Sequence, residues 1–324
     1  MTGRTAKEIN NQGAELFLQG DITGARAKYE EALTLDPKNT SALNNLGYVF
    51  AAEQNHEKAM EYYRQSLEID SRNATAHLNM GNSLIVTGDP EQGLNHLEQA
   101  VEIDPKNQLI WQGMAKLYQI RGNYKEAEKA WAEAIHIDPD SIESIYNLGV
   151  VLAVQKKYSD AIGIFREILQ MDPENAYAAT QLGIVYMMRR DLGLAREVLK
   201  KALGFQPENE SARFHLALAH ASAGEPDKAK KELERLLLIN PENLKARVDL
   251  AVFELGFNNL DTAKQHLQTA LEQKPDHAKA LYYKAMVIYR QGDKTPAKKI
   301  LQTLSKREQE AYGIKAKSFL EEVF

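Results

Sequence analysis

Apolar residues along this chain recur at spacings of three and four, in paired segments of about a dozen residues. That spacing gathers the apolar side chains on one face of an α-helix and predicts two amphipathic helices per pair. The pairs themselves repeat. Small residues return every 34 positions at Ala25, Ala59, Gly93, Ala127, Ala161, Ala195, Ala229, Ala263 and Ala297. Large apolar residues do the same at Tyr29, Tyr63, Leu97, Trp131, Phe165, Leu199, Leu233, Leu267 and Leu301. Nine units of 34 fill residues 6–311 without an insertion.

The punctuation keeps the same period. Between the two helices of a unit stands Gly20, Gly88, Gly122, Gly224, Gly292 or Asn258, residues that tolerate the left-handed conformation closing a helix. Gln54, Lys156 and Arg190 occupy that position in the other units, so strain is expected there. Second helices run into Asp36-Pro37, Asp104-Pro105, Asp138-Pro139 and Asp172-Pro173. Proline ends a helix by removing a donor and restricting its predecessor. No unit of this size buries its own apolar face, so each must lean on its neighbours.

At Trp111, Met114, Ala115, Tyr118, Ala127, Trp131, Ala134 and Pro139 the chain resembles the tetratricopeptide repeat (TPR) family. Leu43, Leu46, Gly47, Phe50, Ala59, Tyr63 and Ser66 carry the same pattern. The resemblance implies an all-α fold, a right-handed superhelical α-solenoid of nine helix-turn-helix units with a C-terminal capping helix. The units would be 6–39, 40–73, 74–107, 108–141, 142–175, 176–209, 210–243, 244–277 and 278–311. A disordered N-terminus is expected at 1–5 and the capping helix at 310–324. The cap's apolar stripe would comprise Tyr312, Ile314, Phe319, Leu320, Val323 and Phe324, the last leading into further chain.

Composition narrows the function. Cysteine is absent, which excludes a disulfide framework and thiolate chemistry. No apolar run reaches the roughly 18 residues of a membrane span, and "MTGRTAKEINNQ" has no signal-peptide core. A soluble, cytoplasmic protein is expected. The net charge of −5 divides into 16 Lys/Arg against 26 Asp/Glu over residues 1–175, and 24 against 19 over 176–324. Residues 278–324 hold ten basic and five acidic side chains. An acidic body with a mildly basic end does not fit a nucleic-acid partner.

In the resembled family the first helices line a concave face that receives ligands, with the sixth place of each repeat pointing inward. That column reads Asn11, Asn45, Asn79, Gly113, Asn147, Gln181, His215, Asp249 and Tyr283. An Asn amide offers one acceptor and two donors, enough to pair with both backbone groups of a peptide residue. Asn10, Asn44, Tyr48, Asn82 and Tyr146 flank the early rungs. Later inward positions turn apolar at Val150, Val154, Ile184, Met187, Met188, Phe214, Leu218, Val252, Tyr282 and Met286. The expected ligand is an extended peptide with an apolar anchor. The alternatives are that these Asn face water or bond back onto their own helices, and that the apolar residues only pack.

Other constellations carry no chemistry. His56, His77, His96 and His136 fall in different repeat positions, and His215 and His220 lie on different faces of one helix. The Asp column at 36, 70, 104, 138 and 172 reads as turn-making. The clamp with which some TPR domains hold chaperone C-termini needs Lys at the fifth place, where this chain has none. His220 and Glu254 stand where other repeats place Phe50, Leu84, Tyr118, Leu152 or Tyr186; either the two residues face a partner or, the reading preferred, the seventh and eighth units are loosely packed. The expected function is a non-catalytic scaffold or adaptor without cofactor or metal, its partner a protein or peptide. Self-assembly through head-to-tail contacts, and service as the recognition arm of a larger enzyme, are the alternatives.

Overall fold

A computed structural model of the chain describes residues 4–323, which form nineteen α-helices. They fall into two compact units, Met1–Ile164 and Phe165–Phe324. In the first, α1 (Ala6–Leu18) pairs with α2 (Ile22–Leu35) and α3 (Thr40–Ala52) with α4 (His56–Ile69). Next α5 (Ala74–Val86) pairs with α6 (Pro90–Ile103) and α7 (Gln108–Ile120) with α8 (Tyr124–Ile137). Then follow α9 (Ile142–Val154) and α10 (Tyr158–Met171), inside which the chain divides. The second unit continues with α11 (Ala176–Met188), α12 (Leu192–Phe205), α13 (Glu210–Ser222), α14 (Pro226–Ile239), α15 (Leu244–Gly256) and α16 (Leu260–Gln273). It closes with α17 (Ala278–Arg290), α18 (Lys294–Ser305) and α19 (Ala311–Val323). The expected disorder at residues 1–3 and the expected contact of Phe324 lie outside the described residues.

Helix starts come from a column that the repeat pattern did not single out. Asn39, Asn73, Asn175, Asn209 and Asn243 each cap a first helix, their side-chain oxygens accepting the N–H of Ala42, Ala76, Ala178, Ala212 and Ala246. Such caps satisfy donors that have no partner inside the helix. Thr5 does the same for α1 in a reciprocal capping box with Glu8. The Asp column makes turns as its regularity implied: Asp36, Asp70, Asp138 and Asp172 accept the N–H two residues on.

The core of each hairpin is a small residue facing a large one. Gly13 meets the Tyr29 ring, Gly47 the Tyr63 ring and Gly183 the Leu199 side chain; a Cβ on Gly47 would stand 2.5 Å from Tyr63 Cε1. Tyr63 is fully buried, and that burial raises its phenol above the ordinary range. In the first unit Trp131, Leu97, Ile110 and Leu117 extend this core through two hairpins. The turn column holds positive φ throughout the chain, including 64° at Gln54, 63° at Lys156 and 67° at Arg190. A side chain there costs about 1 kcal/mol relative to glycine, so three turns store the strain expected of them.

In the second unit the polar intruders are satisfied rather than loosely packed. His220 is buried with its Nδ1 2.5 Å from Glu225 Oε2, and Arg196 and Lys228 join the same carboxylate at 2.6 and 3.1 Å. Glu254 is buried too; it binds Lys230 at 2.8 Å and accepts Asn259 Nδ2 at 2.7 Å. Burial pushes the Glu254 carboxyl up, and Lys230 and Asn259 outweigh it, leaving a net downward shift. These groups replace an apolar contact with a closed polar network, so the expected looseness does not follow from them.

α19 packs on α17 and α18 as a cap, burying Ala316 and half-burying Tyr312, Phe319 and Leu320 against Leu301, Leu304 and Ala285. Ile314 is 58% exposed, because two residues along a helix turn it roughly 200° from the Tyr312 stripe. Val323 is likewise exposed at the helix end.

Two outcomes follow. Gly47→Ala forces the Tyr63 ring away from the hairpin contact and is expected to destabilise the chain by roughly 1–3 kcal/mol, read by urea unfolding. Hydrogen bonds from Arg196, His220 and Lys228 hold the Glu225 carboxyl down to about 2. A carboxyl lowered on folding stabilises above its unfolded pKa and loses that contribution as pH falls towards its folded one. The Tm difference between the natural chain and Glu225→Gln should therefore be full above about pH 4.5 and fade as pH falls to about 2.

Candidate functional site

The first helices of neighbouring hairpins touch one another in the first unit, α1 with α3, α3 with α5 and α5 with α7. Their outward faces form a wall. The ladder Asn residues stand on it, and the structure gives them two tasks. Asn45 Nδ2 donates to Asn10 Oδ1 at 3.0 Å, and Asn79 Nδ2 donates to Asn44 Oδ1 at 3.1 Å. Asn10 and Asn44 are buried acceptors, whereas Asn45 and Asn79 are half-buried and reach the surface. Each rung thus clasps the preceding repeat with one N–H, and among the described residues its carbonyl oxygen and second N–H make no other hydrogen bond.

The other rungs differ. Asn11 and Asn82 are exposed, with no side-chain hydrogen bond among the described residues. Asn147 Nδ2 bonds back to Glu143 O on its own helix at 2.8 Å. Tyr146 and Gln181 are half-buried, and Tyr48 is exposed with its ring edge-on to Phe17 at 5.4 Å. The clasp breaks between α5 and α7, where Leu78 and Gly113 occupy the paired positions. There a groove of about 490 Å³ opens, lined by Tyr48, Asn79, Asn82, Val86, Leu109, Gly113 and Ile120 among others.

Beyond α1, which carries Lys7, Glu8 and Glu15, this wall holds few charges. Helices α3 and α5 contain no Asp, Glu, Lys or Arg; α7 has only Lys116 and α9 only Glu143. Those two pair with each other at 2.9 Å. The acidic excess of the first half therefore sits on second helices and turns.

The second unit is different. Met187 packs among Leu199, Ala202 and Leu216, and Phe214 is buried beneath Lys245, whose Nζ lies 4.3 Å from the ring centroid. Tyr282 is half-buried, its ring 5.3 Å from Tyr283 and 5.6 Å from Tyr312 of the cap. Cavities of about 630 and 510 Å³ open here. Lys245, Asp249, Lys279 and Arg307 help line the first, and Tyr282, Met286, Arg290 and Phe319 the second. Lys279 is bonded to Asp249 within the first.

One pair escaped the sequence pattern. His77 and His96, in different repeat positions, place their Nδ1 atoms 2.9 Å apart across the α5–α6 hairpin. His77 Nε2 lies 3.1 Å from Ser71 O, which only accepts, so that nitrogen carries a proton, and one of the two Nδ1 atoms donates to the other. Burial first, and His77 second, lower the His96 pKa. The described residues hold no group of three or more His, Cys, Asp or Glu placed to bind a metal. Nor is any described helix long and apolar enough to cross a membrane.

Residues 16–237 match the family model described as the Cilia and flagella-associated protein 70 C-terminal domain. Residues 220–272 and 254–318 match a model described as Tetratricopeptide repeat. Among solved structures, the chain is 16% identical to one from the APC/C hetero-tetramer Cut9–Hcn1, with a TM-score of 0.58 over 87% of this chain and 55% of that one. It thus spans about half the length of that relative. YrrB, described as a TPR protein with an unusual peptide-binding site, is 22% identical with a TM-score of 0.49, over 57% of this chain and 95% of its own. A comparison with functionally curated proteins finds no match. The chain belongs to the tetratricopeptide repeat family, and across residues 16–237 to the group within it that the Cilia and flagella-associated protein 70 C-terminal domain model describes.

Proposed function

We propose that the chain is a non-catalytic scaffold that holds an extended segment of a partner protein along the first-helix wall of its first unit. The repeat fold is one that ordinarily serves protein–protein interaction. The observation that carries the reading is the state of the rungs. Asn45 and Asn79 are oriented by the clasp yet keep one donor and one acceptor each for a guest backbone. Preorganised amides lose little freedom on binding. Neighbouring packed helices lie about 8–10 Å apart, and three residues of polyproline-like chain advance about 9 Å. One rung therefore meets every third residue of the guest, whatever its side chains. Asn11 and Asn82 extend the row with amides that owe nothing to the fold.

The two kinds of rung separate binding from stability. For the tightest peptide from a fluorescent library of extended 12-residue peptides, Asn82→Ala should weaken binding roughly twofold to tenfold, the worth of one hydrogen bond. Its melting temperature should not move. Asn45→Ala with Asn79→Ala should weaken binding further and also lower the melting temperature, because the clasps to Asn10 and Asn44 go with it. Affinities unchanged in both variants would remove the wall from function.

A further inference from the structure

The break in the clasp has a consequence for what the wall accepts. Along α1, α3 and α5 the fifth and sixth places are joined as Asn10–Asn45 and Asn44–Asn79. At the next step the partners are Leu78 and Gly113, so no polar pair forms, and Asn82, Leu78 and Leu97 close tightly around the Gly113 backbone. A Cβ at position 113 would already stand 3.3 Å from Asn82 Oδ1 and 3.4 Å from Leu78 Cδ1. Around this floor stand Tyr48, Val86, Leu109 and Ile120, between 50% and 70% exposed. Large apolar side chains held so far into water around one hollow are the signature of a surface that is covered in use.

The electrostatics choose the occupant. The one charged residue lining the groove is Lys116, already paired with Glu143, so a cationic side chain laid on α3, α5 and α7 would leave water and find no counter-charge, and an anionic one only a cation that is already engaged. We infer that the wall selects an uncharged segment carrying one bulky aliphatic or aromatic side chain, seated in the Gly113 hollow one rung beyond Asn79. This rests on the scaffold reading and specifies its ligand. By the rung pitch, the anchor stands about three residues from the one that Asn79 grips. Gly113 is the specificity-determining position, because it alone interrupts the amide column of the first unit and leaves a backbone floor to the groove.

Four fluorescent 12-residue peptide libraries built on Ser, Thr, Asn, Gln, Gly and Pro test this against the full chain. One has a single central Leu or Phe, one has none, and two add a pair of Glu or a pair of Lys to the anchored form. The anchored neutral set is expected to bind at least about tenfold more tightly than the other three, on the scale by which a methylene-rich side chain discriminates. Val86→Ser with Ile120→Ser, both at exposed positions, should abolish that preference while leaving the melting temperature unchanged. Gly113→Ala should act in the same direction. If peptides bind with no preference for anchor or neutrality, and Asn82→Ala still weakens them, the inference fails and the scaffold reading stands. If none of the four sets binds, both fall.

Discussion

Each hairpin of this chain depends on one contact, the backbone of a first helix lying against the ring or branched side chain of the second. Gly13 beneath Tyr29, Gly47 beneath Tyr63 and Gly183 beneath Leu199 show it directly, with no room for a single added carbon. That approach lets the two helices share one buried layer instead of two half-buried ones. Interiors packed to crystal density leave no slack for an alternative spacing. It also explains the unbroken 34-residue period. An insertion in either helix would rotate the small residue off its partner, and the next hairpin would lose the surface it leans on.

Once helix pairing is settled by small and large residues, the polar groups are free for other work, and they divide it clearly. Asn at the start of first helices caps backbone donors. Asn10 and Asn44 at the fifth place are buried acceptors, and Asn45 and Asn79 at the sixth clasp the preceding repeat. Most charge is sent to the second helices and turns, and beyond α1 the wall of the first unit carries little. In the second unit several of the same positions are charged or aromatic, and groups there engage one another, as in the Lys279–Asp249 pair and the Tyr282, Tyr283 and Tyr312 cluster. The two units therefore present different chemistry on one repeat plan.

Periodicity made the helices, the turn column and the cap legible, because spacing determines which side of a helix a residue occupies. It could not show what crosses between elements. The Asn10–Asn45 and Asn44–Asn79 clasps join residues 35 positions apart, one more than the period, so a search of single columns misses them. The His77–His96 bond has the same origin, linking unlike places in adjacent helices. His220 and Glu254 misled for another reason. A polar residue in an apolar column signals looseness only if no partner reaches it, and Glu225, Lys230 and Asn259 do. Ile314 joined the cap's stripe by hydrophobicity alone, although its angular position excludes it.

The recognition proposed for the wall works by hydrogen bonds and apolar contact, without ion pairing. The most direct measurement is the dissociation constant of the tightest library peptide in about 0.05 M and about 0.5 M sodium chloride, a range over which exposed charge–charge attraction is largely screened. The account predicts affinities that agree within about twofold across that range, with a slight strengthening at high salt permitted by apolar burial. A weakening of about tenfold or more would mean that charge holds the ligand, and would contradict it.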